Sequence, residues 1–98
     1  MAGNILAIFT ISNDVPFPKE MGIKSRYSPH HKFKNIEYLV SGRHQYEDDE
    51  VHYPGEDLFV TITFASWEYM KMSLNVGDEF EVREMDRIVG YGKVVTIF

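Results

Sequence analysis

Ninety-eight residues, 44% hydrophobic and 14% aromatic, are enough to bury one core and exclude a disordered chain, so a single domain over residues 1–98 is expected. Fifteen acidic against ten basic side chains leave a formal charge of −5, which disfavours a phosphate backbone as the principal partner. The lack of cysteine removes disulfides and thiolate chemistry, and no apolar run reaches the ~20 residues of a membrane span, so a soluble, cytoplasmic protein is expected.

In chain order, residues 1–4 lack the basic start of a signal peptide. Residues 5–12 form an apolar, β-branched run closed by Asn13 and Asp14, which reads as a buried strand. Pro16 and Pro18 cannot donate to a ladder and hold the residues before them extended. A long loop through His31, with a turn around Met21 and Gly22, therefore follows. Loops beyond about 12–15 residues are usually functional or mobile. This one carries charge: residues 19–34 hold five bases and the single acid Glu20, net +4, which leaves −9 for the remainder.

Residues 34–40 predict the next strand, with Ile36, Tyr38 and Val40 on one face, broken by Ser41 and Gly42; residues 43–46 predict a short edge strand. Glu47, Asp48, Asp49 and Glu50 repel one another and predict an exposed turn. Pro54-Gly55 is a turn because proline presets φ at the first corner and glycine accepts a positive φ at the second. Residues 58–64 alternate cleanly, with Leu58, Val60, Ile62 and Phe64 inward. Residues 66–74 read as an irregular connection with one helical turn at most. In the last third, Phe80 and Val82 alternate with Glu79, Glu81 and Arg83, Met85 and Asp86 form a tight tip, and residues 87–98 return. Gly90 and Gly92 lie two apart on one face, where a bulky neighbour or another backbone can approach. The sum is an all-β fold, a six-stranded antiparallel Greek-key β-barrel.

Catalytic constellations are weak. His30, His31, His44 and His52 show no H-E-x-x-H spacing, so no metal is expected. Glu79 and Glu81 fall on an outward face, where solvated carboxylates keep ordinary acidity and make poor general acids. No serine sits in a G-x-S-x-G elbow and no phosphate-binding glycine loop occurs, so neither a nucleotide nor another cofactor is expected. Tyr27, Phe33, Tyr38, Tyr46, Tyr53 and Tyr91 interleave with bases and could stack on nucleotides, but half of these rings are better explained as core.

Residues 77–98, with Phe80, Arg83-Glu84, Arg87, Val89-Gly90 and Gly92 at these spacings, resemble the closing hairpin of the C-terminal β-barrel, domain III, of elongation factor Tu and related translational GTPases. Pro54-Gly55-Glu56-Asp57 with the strand after it, and Ser25-Arg26-Tyr27-Ser28-Pro29 in the place of the family's Gly-Arg-His-Thr-Pro segment, extend the likeness. The resemblance implies the same barrel, here as a stand-alone domain. In the family, a glycine pair at the tip of the last hairpin helps to contact the T-stem of aminoacyl-tRNA. Met85 and Asp86 occupy those positions here, and a carboxylate there repels phosphate. The resemblance also implies that the Arg26 loop lies on the side that packs against the GTPase domain in the full factor.

These readings converge on a non-catalytic module that binds another protein, with nucleic acid as the second expectation. Glu47, Asp48, Asp49, Glu50, Glu56 and Asp57 form the expected acidic contact surface, suited to a basic toxin in an immunity or antitoxin role, or to a translation component. The alternative is an RNA-binding translation accessory, of tRNA type, acting through Lys24, Arg26, His30, His31, Lys32 and Lys34. A third is a mimic of the elongation factor barrel that competes for its partners.

Overall fold

Period-two burial runs through the strands of a computed structural model that describes residues 3–98. In β1 (Ile5–Ile11), Ile5, Ala7, Phe9 and Ile11 point inward while Leu6, Ile8 and Thr10 face out. The remaining strands are β2 (His30–Phe33), β3 (Val40–Gln45), β4 (Asp57–Phe64), β5 (Glu79–Glu84) and β6 (Arg87–Ile97). Their spatial order is β1-β4-β3-β2-β5-β6, closed back on β1, with every neighbouring pair antiparallel. The consecutive strands β2, β3 and β4 lie side by side and β1 returns beside β4, a Greek key, and closure leaves no strand edge unpaired. The core is the barrel interior, filled by Phe9, Phe33, Ile62, Phe64, Phe80 and Val82 among others.

The first strand, the strand of residues 58–64, the Pro54-Gly55 turn and the terminal hairpin stand where the sequence puts them. Gly55 has a φ of +98°, and Gly22 a φ of +80° at the turn expected there. A side chain at Gly92 would overlap the Phe80 ring, and one at Gly90 the carbonyl of Thr10, which is the close approach the glycine pair predicts. The connection after β4 is one α-helical turn, α1 (Trp67–Met70), continued by a 3-10 turn at Lys71–Ser73. It is longer than the single turn expected, with Met70 and Leu74 buried and Trp67 packed on the core.

The strand expected over residues 34–40 does not form. The chain turns there: the Ile36 amide donates to the Phe33 carbonyl, and the Lys32 ammonium gathers the carbonyls of Phe33 and Ile36 at 3.2 and 2.9 Å. Ile36 and Val40 are buried but Tyr38 is half exposed. Ser41 and Gly42 do not break a strand but lie inside β3, and residues 43–45 are no edge, because β3 pairs with β2 on one side and β4 on the other. Gly42 is required by packing: a Cβ there would stand 2.8–2.9 Å from the side chains of Ile62, His31 and Phe64.

Strand direction divides the connections between the two ends of the barrel. Residues 12–29, residues 46–56 and the tip at Met85 and Asp86 share one end; residues 34–39 and 65–78 share the other.

Candidate functional site

The loop end is fastened by Glu84, the last residue of β5. Its carboxylate accepts the Tyr27 hydroxyl at 2.6 Å and pairs with Lys19 at 2.6 Å and Arg87 at 3.3 Å. Burial opposes ionisation of Glu84, but Lys19, Tyr27 and Arg87 together outweigh it and hold the carboxyl below its ordinary value. Burial and the anionic partner push the Tyr27 phenol up, so it stays a donor. Arg87 also donates to the Phe17 and Pro18 carbonyls, each at 2.9 Å, which ties the proline segment to the hairpin.

Residues 46–56 rest on residues 23–25. Ile23 and His52 exchange backbone hydrogen bonds, and the Ser25 hydroxyl accepts the Tyr46 amide and donates to the Asp48 carbonyl. The acidic set expected from sequence divides into three. His52 binds Glu56 through Nδ1 at 2.9 Å and Asp48 through Nε2 at 2.8 Å. The Glu56 bond chiefly raises the His52 pKa, with Asp48 adding to it. Glu56 is lowered mainly by the same bond, and Asp48 mainly by the Glu50 amide and then by His52. Asp57 lies on the barrel wall, accepting the Thr10 hydroxyl at 2.6 Å. Glu47, Asp49 and Glu50 are exposed, with no ion-pair partner among the described residues.

The basic set does not form one surface. Lys24 and Arg26 are exposed at the loop end. Arg26 has a φ of +81°, an outlier for a non-glycine residue, fixed by its amide donating to the His44 carbonyl at 2.8 Å. His30 sits beside the hairpin tip, accepting the Met85 amide at 3.4 Å. His31 is a correction: it points into the barrel and is fully buried, because it occupies an inward position of β2. Lys32 and Lys34 lie toward the opposite end, where Lys32 staples the residue 33–36 turn.

Sequence reasoning missed Phe17, Met21 and Val51 at this end, and singled out Tyr53 only as a stacking ring and Met85 only as the hairpin tip. Phe17 and Met21 are 73% and 87% exposed, Tyr53 50% and Met85 66%, with Val51 also exposed. Val51 and Tyr53 flank Gly22, and Phe17 reaches the hairpin through Arg87. The acids Glu20, Glu47, Asp49, Glu50 and Asp86, all exposed, lie on the same loops and tip at this end.

A groove of about 650 Å³ also runs across the wall between β1 and β2, lined by Ile8, Tyr91, Lys93, Arg83 and Lys32 among others. Three of its four cations stand against acids: Lys93 lies opposite Glu79, Lys32 opposite Glu81, and Arg83 bonds Glu81 at 2.6 Å, while Lys34 has no ion pair among the described residues. Such alternation stabilises a solvated sheet face and selects no anion.

Among the described residues, no three His, Cys, Asp or Glu side chains gather as a metal-ligand set, and no helix is long and apolar enough to cross a membrane. Neither protein-family models nor curated proteins match the chain.

Proposed function

We propose that the protein is a cytoplasmic, non-catalytic binding module that docks a basic protein on the loop end of its barrel. The observation that carries this reading is the coincidence, at that end, of exposed Phe17, Met21, Tyr53 and Met85 with the unpaired acids Glu47, Asp49 and Glu50. Apolar anchors surrounded by charge are the anatomy of a protein interface: desolvated rings and methionines supply affinity, and the charged surround supplies orientation and association rate. An excess of carboxylates selects a cationic partner, which suits an immunity or antitoxin role against a basic toxin. Docking on a translation component is the reading that the elongation factor Tu resemblance of residues 77–98 supports.

The RNA-binding alternative draws on a basic segment that this fold distributes: Lys24 and Arg26 at one end, Lys32 and Lys34 toward the other, His31 inside. Affinity capture from the source cell with wild type and with Glu47→Lys/Asp49→Lys/Glu50→Lys separates the two. A basic protein retained by wild type at low salt, and lost by the variant and at high salt, supports the proposal. Captured RNA, or a partner set indifferent to the charge reversal, rejects it.

A further inference from the structure

Two imidazoles occupy the barrel interior with no charge near them. His31 on β2 and His44 on β3 are both fully buried, their Nε2 atoms 2.8 Å apart. His31 Nδ1 lies 3.1 Å from the Val40 carbonyl, and His44 Nδ1 lies 2.7 Å from the Tyr46 hydroxyl. A carbonyl only accepts, so His31 Nδ1 carries the hydrogen and, in the neutral ring, His31 Nε2 accepts. His44 Nε2 must then donate, which leaves its Nδ1 to accept from Tyr46. One chain results, Tyr46 to His44 to His31 to Val40, and with both rings neutral it uses every polar atom of both; a single added proton keeps those bonds only by reversing Tyr46, and a second breaks the bond between the rings.

The chain spans the shortest seam of the barrel. β2 and β3 are in register only at His30–Ser41 and His31–Val40, whereas β1 and β6 match from Ile5–Ile97 to Ile11–Gly90. Beyond β2 the seam continues through bonds of irregular chain: Gly42 to Pro29, His44 to Tyr27, and Arg26, at positive φ, to His44.

We propose that this seam is an acid-operated latch, in which protonation of the His31–His44 pair opens the barrel between β2 and β3. One added proton turns the Tyr46 hydroxyl around and leaves a cation in an apolar box. A second sets N–H against N–H at hydrogen-bonding distance. What packs on the pair offers no counter-charge. β1 contributes Phe9, β4 Phe64 and β5 Phe80, and Tyr27 meets His44 edge-on with its hydroxyl committed to Glu84. Glu84 is itself bound by Lys19 and Arg87. His30, next along β2, adds a further titratable group of the same sign, and His52 meets the outer edge of Tyr46. Burial holds His31 at about 4 and His44 well below its usual value. An opened seam releases both rings to take protons near pH 6.5, so acid drives the opening. Because residues 46–56 start from Tyr46, the open latch also frees the loop end, whatever that end binds.

Amide hydrogen exchange, corrected for intrinsic rates, tests the latch between pH 7 and pH 5. Protection at Gly42 and His44 should fall below pH 6.5 by more than tenfold per pH unit, toward the hundredfold limit for two protons. Protection at Ala7 and Phe9, between β1 and its neighbours, should hold over the same range. Uniform loss at all four amides means global acid unfolding and overturns the latch. Imidazole nitrogen spectra of the wild type need no variant. Nδ1–H on His31 and Nε2–H on His44 at pH 7 support the chain, whereas rings that titrate near 6.5 with seam protection intact overturn it. In His44→Gln the acid dependence at Gly42 should shrink to at most tenfold per pH unit, and an unchanged dependence counts against the pair.

Discussion

Glu84→Ala removes the fastening between the terminal hairpin and the long first loop. The 2.6 Å bond from the Tyr27 hydroxyl has an ionised acceptor, a class worth about 1.5–3 kcal/mol. The Lys19 and Arg87 pairs are a quarter to a third exposed, so solvent screening reduces each to roughly 0.5 kcal/mol. Tyr27 is itself only partly buried and its freed hydroxyl can reach water, so the expected loss is about 2.5 kcal/mol, the lower end of the total. Urea unfolding at pH 7 reads this as a lower midpoint with an unchanged slope, because the core is untouched. A double-mutant cycle with Tyr27→Phe should return a coupling of at least ~1 kcal/mol. Hydrogen exchange should place the loosening in residues 17–27. A loss under ~0.5 kcal/mol with no coupling refutes the view that Glu84 anchors the loop.

Three further outcomes follow from local geometry. Gly42→Ala forces a methyl against Ile62, His31 and Phe64 and should cost about 2 kcal/mol or more by calorimetry, whereas Gly77→Ala, with open space around it, should cost only the strain of its positive φ. Met85→Gly relieves a φ of +57° at the exposed tip and should raise stability by about 0.5–1 kcal/mol in urea unfolding. His52 should titrate above 6.5 by NMR, and less so in Glu56→Gln than in wild type. Its raised folded pKa means that its clamp contributes fully below the unfolded value and is lost as pH rises through the folded one. His31 and His44 act in the opposite sense: their depressed folded values make stability complete above about 6.5 and diminishing as pH falls. Together they predict a maximum near neutrality rather than a plateau.

The parts of the fold legible in sequence are those where period-two burial is uninterrupted. β1 and β4 each carry three or more consecutive inward apolar positions, β5 carries the pair Phe80 and Val82, and Gly90 and Gly92 show their purpose through spacing alone. β2 and β3 were illegible for a specific reason. The inward positions of β2 are His31 and Phe33, and those of β3 are Val40, Gly42 and His44, so a histidine and a glycine stand where a pattern search needs aliphatic residues. Ile36, Tyr38 and Val40 supply the alternation instead, but Lys32 bends the chain beneath them. The signal that would have found β3 is Val40, Gly42, His44 and Tyr46 taken as one period-two series, all four buried.

The candidate site was legible as charge and not as arrangement. Exposure of Glu47, Asp49 and Glu50 follows from their mutual repulsion. Pairing of Asp48 and Glu56 with one imidazole depends on loop curvature, and the division of the basic segment depends on where β2 begins. The apolar members of the loop end come from three separate stretches, around Phe17, Tyr53 and Met85, that only barrel closure brings to one side.

Oxidative footprinting of the captured complex tests the docking surface most directly, because methionines lie at both ends of the barrel. Met21 and Met85 belong to the loop end, while Met72, 90% exposed, lies on the connection at the far end. Partner binding should shield Met21 and Met85 from oxidation and leave Met72 as reactive as in the free protein. Shielding of Met72 with Met21 and Met85 still reactive would contradict the assignment of the loop end as the docking surface.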